Sequence, residues 1–156
     1  MFSTVIWHSA TLSSSAPVIF VQYLAGMAVI AGVRAYARGY ERVADKVRLK
    51  WPNDVYAVTE DGTYVKIGGV LVNSTYSGDA YGLVVGVGVN VANAAPTTGL
   101  DAIARSCGIE PFQRETLLAR ILASFEELYT AFCVEGWGSR MEGIYYDMWL
   151  HKYEFE

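Results

Sequence analysis

The stretch LKWPNDVY, Leu49 to Tyr56, sets a lysine, an amide and a carboxylate (Lys50, Asn53 and Asp54) around Pro52, between two runs that read as β-strand. Asp54 alone serves equally as a turn residue or as a ligand. A second lysine, Lys66, precedes a Gly-Gly pair in TYVKIGGVLVNS, Thr63 to Ser74. In YGLVVGVGVNV, Tyr81 to Val91, period two puts Leu83, Val85, Val87, Val89 and Val91 on one face. Gly82, Gly86, Gly88 and Asn90, with Val84, fall on the other. Glycine inside a strand loses packing and backbone entropy, so a face of glycines implies close approach. A ligand and a tightly packed helix both satisfy that, and the pattern does not choose between them. A hairpin centred near Gly78 pairs Lys66 with Asn90 and Gly68 with Gly88; a slip of one residue reverses the faces. A lysine on such a surface meets an anion or water, the plain alternative being an exposed, snorkelling side chain.

These groups need elements to hold them. Met1–His8 reads as a strand, and VRLKW as another, with Val47, Leu49 and Trp51 on one face and Arg48 and Lys50 on the other. Val55–Thr59, the turn Glu60–Gly62 and Thr63–Ser74 read as a hairpin leading through Ser77–Gly78–Asp79 to the glycine strand. Ser13–Ser15 and Pro17 suit the start of a helix running to about Tyr36, with Gly39 as its stop. Asn93–Gly99 reads as a loop, Asp101–Cys107 as a short helix ended by Gly108, and Gln113–Cys133 as a long amphipathic helix. Ser139 and Glu142 fit a capping box opening a last helix to about Leu150. Strands and helices interleave with hairpins, which predicts one α+β domain.

Composition narrows the function classes. The 156 residues are 53% hydrophobic and 18% charged with a net charge of −4, so disorder is excluded and a basic footprint for nucleic acid or anionic lipid is missing. Ala16–Val33 holds one strongly polar residue, Gln22, at the lower edge of membrane-spanning length. Its Ser/Pro start and lack of basic flanks favour a buried core helix, so neither membrane nor nucleic acid is an expected partner. Cys107 and Cys133 match no metal spacing and make no disulfide framework, and the default setting is reduced and cytoplasmic. His8 and His151 stand apart and read as surface or packing residues; no metal site is expected. GVGVN lacks the G-x-G-x-x-G spacing of a dinucleotide loop, and the sequon Asn73-Ser74-Thr75 is formal only.

Three boxes, KWPNDVY at 50–56, VKIGGVLVN at 65–73 and GVGVNV at 86–91, together resemble the catalytic domain of biotin–protein ligases, or holocarboxylase synthetases, in order and spacing. MFSTVIWH resembles that family's strand before its long helix, and Pro96–Thr98 its eukaryotic branch. The resemblance implies a class II aminoacyl-tRNA synthetase-like core with a mixed, mainly antiparallel sheet. It implies an enzyme using ATP, with Mg2+, and biotin to form biotinyl-5′-AMP, then passing biotin to a lysine on the acceptor domain of a carboxylase. It assigns catalysis to Lys66, the biotin pocket to Lys66, Gly69, Leu71 and Gly86, and the ATP or adenylate side to Lys50, Asn53, Asp54 and Asn90. Lys66 and Gly69 fall on opposite faces under strict alternation, so a bulge at Gly68-Gly69 is expected.

The family's G-R-G-R-x-G loop does not occur in the chain. Residues 1–156 are therefore expected to form part of a catalytic domain, without the N-terminal biotin loop and a C-terminal SH3-like domain, and to have little activity alone. The alternatives are a non-catalytic truncated homologue, acting as a binding or scaffold remnant, and a lipoate- or octanoate-type acyltransferase.

Overall fold

The computed structural model of the chain describes residues 1–93 and 97–152. Five strands, β1 (Phe2–Ser9), β2 (Val47–Lys50), β3 (Asp54–Val58), β4 (Tyr64–Ser77) and β5 (Ala80–Val89), form one sheet in the order β1-β5-β4-β3-β2. Every neighbouring pair is antiparallel. A single parallel bridge joins Leu49 to Trp149 at the outer edge of β2. The helices are α1 (Val21–Arg34), α2 (Glu41–Ala44), α3 (Leu100–Ser106), α4 (Arg114–Glu135) and α5 (Ser139–Met148). This is the expected α+β class.

The sheet is buried on one side only. Val47, Leu49, Val55, Ala57, Ile67, Val70, Leu83, Val85 and Val87 point toward the helices and expose at most 4% of their surface. The apolar run first weighed as a membrane span becomes α1, whose Leu24, Met27, Ala28, Val29 and Val33 are fully buried. It touches both the sheet and α4, and a helix enclosed on several sides is apolar around its whole circumference. No described helix is long and apolar enough to cross a membrane.

Several local expectations shift. The long helix begins at Val21, because Ala10–Leu12 and Val18–Phe20 each close a separate 3-10 turn; Ser13–Ser15 do not cap it. It ends at Arg34, and Gly39, at φ +97°, belongs to the turn before α2. Trp51 leaves the strand pattern: β2 ends at Lys50 and the indole is 64% exposed. No side-chain cap forms at α5, where the Glu142 N–H donates to the Gly138 carbonyl. The expected loop Asn93–Gly99 and the Pro96–Thr98 run lie partly outside the described residues.

The β4–β5 hairpin differs most usefully. Ser77 pairs with Ala80 across a two-residue turn, Gly78-Asp79, so the hairpin centre falls between those residues. Gly78 has φ +65°, the conformation a two-residue hairpin turn demands at its first position and one that glycine adopts without strain. The register is thus one residue from the expected one: Gly69 faces Gly88, Leu71 faces Gly86, and Val70 faces Val87. Lys66 does not face Asn90.

Candidate functional site

Pairing along β3 and β4 runs Asp54 to Gly69 and Val55 to Gly68, then jumps to Tyr56 with Lys66. Ile67 is the extra residue. The bulge that the sequence calls for is present, one residue earlier than expected, at Ile67-Gly68. A Cβ on Gly68 would strike the Gly88 carbonyl oxygen, so only glycine lets β4 and β5 close here. Because paired residues share a face, the bulge sets Lys66 and Gly69 on the same side, with Tyr56 and Asp54.

The WPN loop is fixed from three directions. The Trp51 indole Nε1 donates to the Tyr23 hydroxyl at 2.9 Å, and the Gln22 amide donates to the Pro52 carbonyl at 3.4 Å. Asn53 is bound twice to Val70: its side-chain amide donates to the Val70 carbonyl at 2.9 Å, and its carbonyl accepts the Val70 N–H at 2.8 Å. The Trp51–Pro52 peptide is cis. Tyr145 lies against the same loop, its hydroxyl pushed up to about 12 by burial and by Tyr23, so it stays protonated near neutral pH. Asp54 therefore leaves a rigid corner and starts β3 already aimed across the sheet.

Its carboxylate lies 2.7 Å from the Lys66 ammonium. The lysine side chain is 54% exposed and the aspartate 25%, so the pair is a surface one that stabilises folding by at most about 1 kcal/mol. A Cβ on Gly69 would sit 3.3 Å from the Asp54 oxygen, which leaves the carboxylate directly over a glycine floor. The Lys50 ammonium stands 5.2 Å from the centre of the Tyr56 ring. Asn90 follows β5; its N–H donates to the Ile67 carbonyl at 2.7 Å and its carbonyl accepts the Leu100 N–H at 3.0 Å. The backbone of Asn90 is thereby clamped beside the bulge, and the register does not pair Asn90 with Lys66.

Among the described residues no helix packs on the glycine face, so close approach of a helix does not account for its glycines. A Cβ on Gly86 would meet only the Leu71 carbonyl oxygen, at 3.5 Å. Leu71 and Val5 are each 59% exposed, and Trp7, lying over Gly82, is 69% exposed. An apolar trough floored by Gly86 and walled by Leu71 therefore runs toward a cluster of Lys66, Asp54 and Lys50. Such a trough takes an apolar body that ends in an anionic group.

Arg48, Tyr56, Val5 and Trp7 share this face and were not singled out from the sequence. Arg48 carried a signal, the period it shares with Lys50. Val5 and Trp7 carried none, since β1 reaches β5 by a non-local pairing of Val5 with Val84 and Trp7 with Gly82. His8 points the other way. It is fully buried, with Nδ1 2.9 Å from the Tyr129 hydroxyl, and burial holds its imidazole below the usual value. Burial likewise raises Tyr129, with Cys133 adding to the effect. His151 packs edge-on against Trp149. Among the described residues no group of three His, Cys, Asp or Glu side chains is placed to hold a metal ion.

The chain belongs to the biotin/lipoate A/B protein ligase family, whose sequence model matches residues 1–90. It is 36% identical over 165 aligned residues to the biotin–protein ligase of Schizosaccharomyces pombe, an alignment that covers 97% of this chain. The chain spans about a quarter, 26%, of that relative's length. In three dimensions it is similar to the biotin protein ligase of Aquifex aeolicus, with a TM-score of 0.65, 21% identity, and coverage of 96% of this chain and 60% of that one. The Leishmania major biotin protein ligase, in complex with biotinyl-5-AMP, gives 0.64 at 21% identity, covering 94% and 60%. The fold is that of these biotin protein ligases.

Proposed function

We propose that the chain forms the sheet half of the adenylating site of an ATP-dependent biotin–protein ligase. The observation that carries the reading is the Ile67 bulge, which sets Lys66 on the same open face as Gly69, Leu71 and Gly86. The bicyclic body and valeryl chain of biotin lie along the trough over Gly69, Leu71 and Gly86, with the carboxylate at Lys66. A carboxylate oxygen attacks the α-phosphorus of ATP; the bond to the β-phosphate oxygen breaks and pyrophosphate leaves with the electron pair. The Lys66 ammonium stabilises the charge that builds between carboxylate and α-phosphate. Asn90 reads the adenine, and Lys50, Asn53 and Asp54 border the adenylate, Asn53 chiefly by holding the loop. Mg2+ accompanies the nucleotide as part of the substrate. In the second step a lysine amine of a carboxylase acceptor domain attacks the acyl carbon and AMP leaves.

The names and bound ligands of the relatives support this reading, as does an open face on which no described helix packs. The setting proposed is cytoplasmic. Residues 1–156 are proposed to be part of a larger catalytic domain with little turnover on their own, in keeping with their share of the relatives' length.

The test replaces the matched region of the S. pombe ligase with this chain and supplies biotin, α-labelled ATP and Mg2+. The chimera is expected to form biotinyl-AMP and to label an acceptor domain, while the isolated chain gives little product. A chimera that stays silent with biotin beside an active S. pombe control overturns the reading. Turnover with lipoate or octanoate in place of biotin moves the chain to the other branch of the family.

A further inference from the structure

We propose that the cleft bordered by α5, the start of α1 and the WPN loop is a binding site for an organic cation, a methylated ammonium group on a short aliphatic chain. Glu142, Tyr145, Tyr146 and Trp149 follow one another at helical spacing along α5 and its end, so they share one stripe. That stripe, together with Phe20, Tyr23, Trp51 and Trp137, lines a cleft of about 290 Å3. Seven of the eight lining residues are aromatic, and Glu142 carries the only charge among them. A volume at the lower end of the range for ligand pockets suits one head group rather than a whole nucleotide. The adenylation proposed above leaves this cleft without a role.

The rings hold one another in place. Phe20 and Trp137 stack with centroids 4.5 Å apart and planes within 9°, and Tyr145 stands edge-on to Tyr23 at 5.3 Å. Tyr146 and Trp149 make a further pair at 5.5 Å. The Trp51 indole is 64% exposed yet tied through Nε1 to the Tyr23 hydroxyl, which makes it a fixed wall. Ring faces carry partial negative charge and draw a cation over them. The carboxylate adds to that attraction. Arg140 pairs with Glu135 at 2.8 Å and Lys152 with Asp147 at 2.6 Å, which leaves Glu142 without an ion pair among the described residues. A bare ammonium is strongly hydrated and needs several acceptors, which aromatic walls do not offer. A methylated ammonium has no N–H to satisfy, and rings with one nearby charge recognise it. Trp51 belongs to both the cleft and the WPN loop, so an occupant touches the loop that carries Asn53.

Three of the four tryptophans line the cleft, so intrinsic fluorescence reads its occupancy. The 156-residue chain is titrated at constant ionic strength with choline, with its uncharged isostere 3,3-dimethyl-1-butanol, and with a peptide carrying trimethyllysine. Both cations are expected to bind about tenfold more tightly than the isostere, the contribution of cation–π contact. The tighter of the two distinguishes a free cation from a protein-borne one. Glu142→Gln is expected to weaken both cations about fivefold and to leave the isostere within about twofold, a selectivity that a folding defect does not produce. Tyr146→Leu keeps the bulk and removes the ring, and is expected to weaken the cations similarly with the thermal unfolding midpoint unchanged. Choline and trimethyllysine that bind no better than the isostere overturn the proposal, as does a Glu142→Gln chain that binds them as tightly as wild type.

Discussion

The Lys66 ammonium and the Asp54 carboxylate meet at 2.7 Å across the bulge that Ile67 opens in β4. Pairing of this kind on a half-exposed surface contributes little to folding but fixes where a cation waits. Lys66→Ala is therefore expected to change unfolding free energy by less than about 1 kcal/mol in denaturant titration. In the S. pombe chimera the proposed function expects the same change to lower biotinyl-AMP formation about a hundredfold or more, because it sets this fixed charge at the reacting phosphorus. A chimera that turns over normally without this lysine removes it from the mechanism.

Two glycines should separate folding from binding. Gly68→Ala drives a Cβ into the Gly88 carbonyl oxygen and is expected to destabilise the chain by about 2 kcal/mol, an overpacking effect. Gly86→Ala meets only the Leu71 carbonyl oxygen at 3.5 Å, so stability should shift by no more than about 0.5 kcal/mol. Biotin affinity, measured by titration, should nevertheless fall at Gly86, since the new methyl group stands in the trough. Equal loss of stability at both positions would place the open face wrongly.

Asn53 is expected to act through the loop it holds. Asn53→Ala leaves the Val70 carbonyl without its side-chain donor and should lower stability by about 1 kcal/mol. The affinity for ATP should fall with it, and Asn53→Asp should not restore the bond, because a carboxylate cannot donate to a carbonyl. Thermal unfolding with and without ATP reads both effects.

His8 gives the fold a dependence on acid. Its imidazole is held below 6.5 in the native state by burial, so between the native value and 6.5 the unfolded chain binds more protons. Stability from this group is present above pH 6.5 and is lost as the pH falls below it. Unfolding curves recorded across that range should show a falling acid limb that is flattened in His8→Gln. An unchanged slope in the variant would assign the acid sensitivity elsewhere.

Much of this architecture was legible in the sequence where period and burial agree. Leu83, Val85 and Val87 alternate with Gly82, Val84 and Gly86, and the pattern assigned both faces of β5 correctly. The start of α1 at Val21 was not legible, because two 3-10 turns compete locally with a single longer helix capped at Ser13–Ser15. The register slipped because the turn centre depends on whether Gly78 opens a two-residue loop, and composition alone does not fix that. The apolar wall of Val5 and Trp7 was hidden for a different reason. Its pairing partners lie more than seventy residues away, and only the closed sheet brings them together.

The Ile67 bulge divides β4 as a frameshift divides a gene. Upstream of it, even-numbered residues such as Lys66 look outward and Ile67 looks into the core; downstream, odd-numbered Gly69 and Leu71 look outward and Val70 looks in. Deleting one residue there while keeping the downstream frame would swing Lys66 inward and push its neighbours out. The position of the cation is thus written in a count of residues as much as in their identity, and a substitution scan that never changes length would not reveal it.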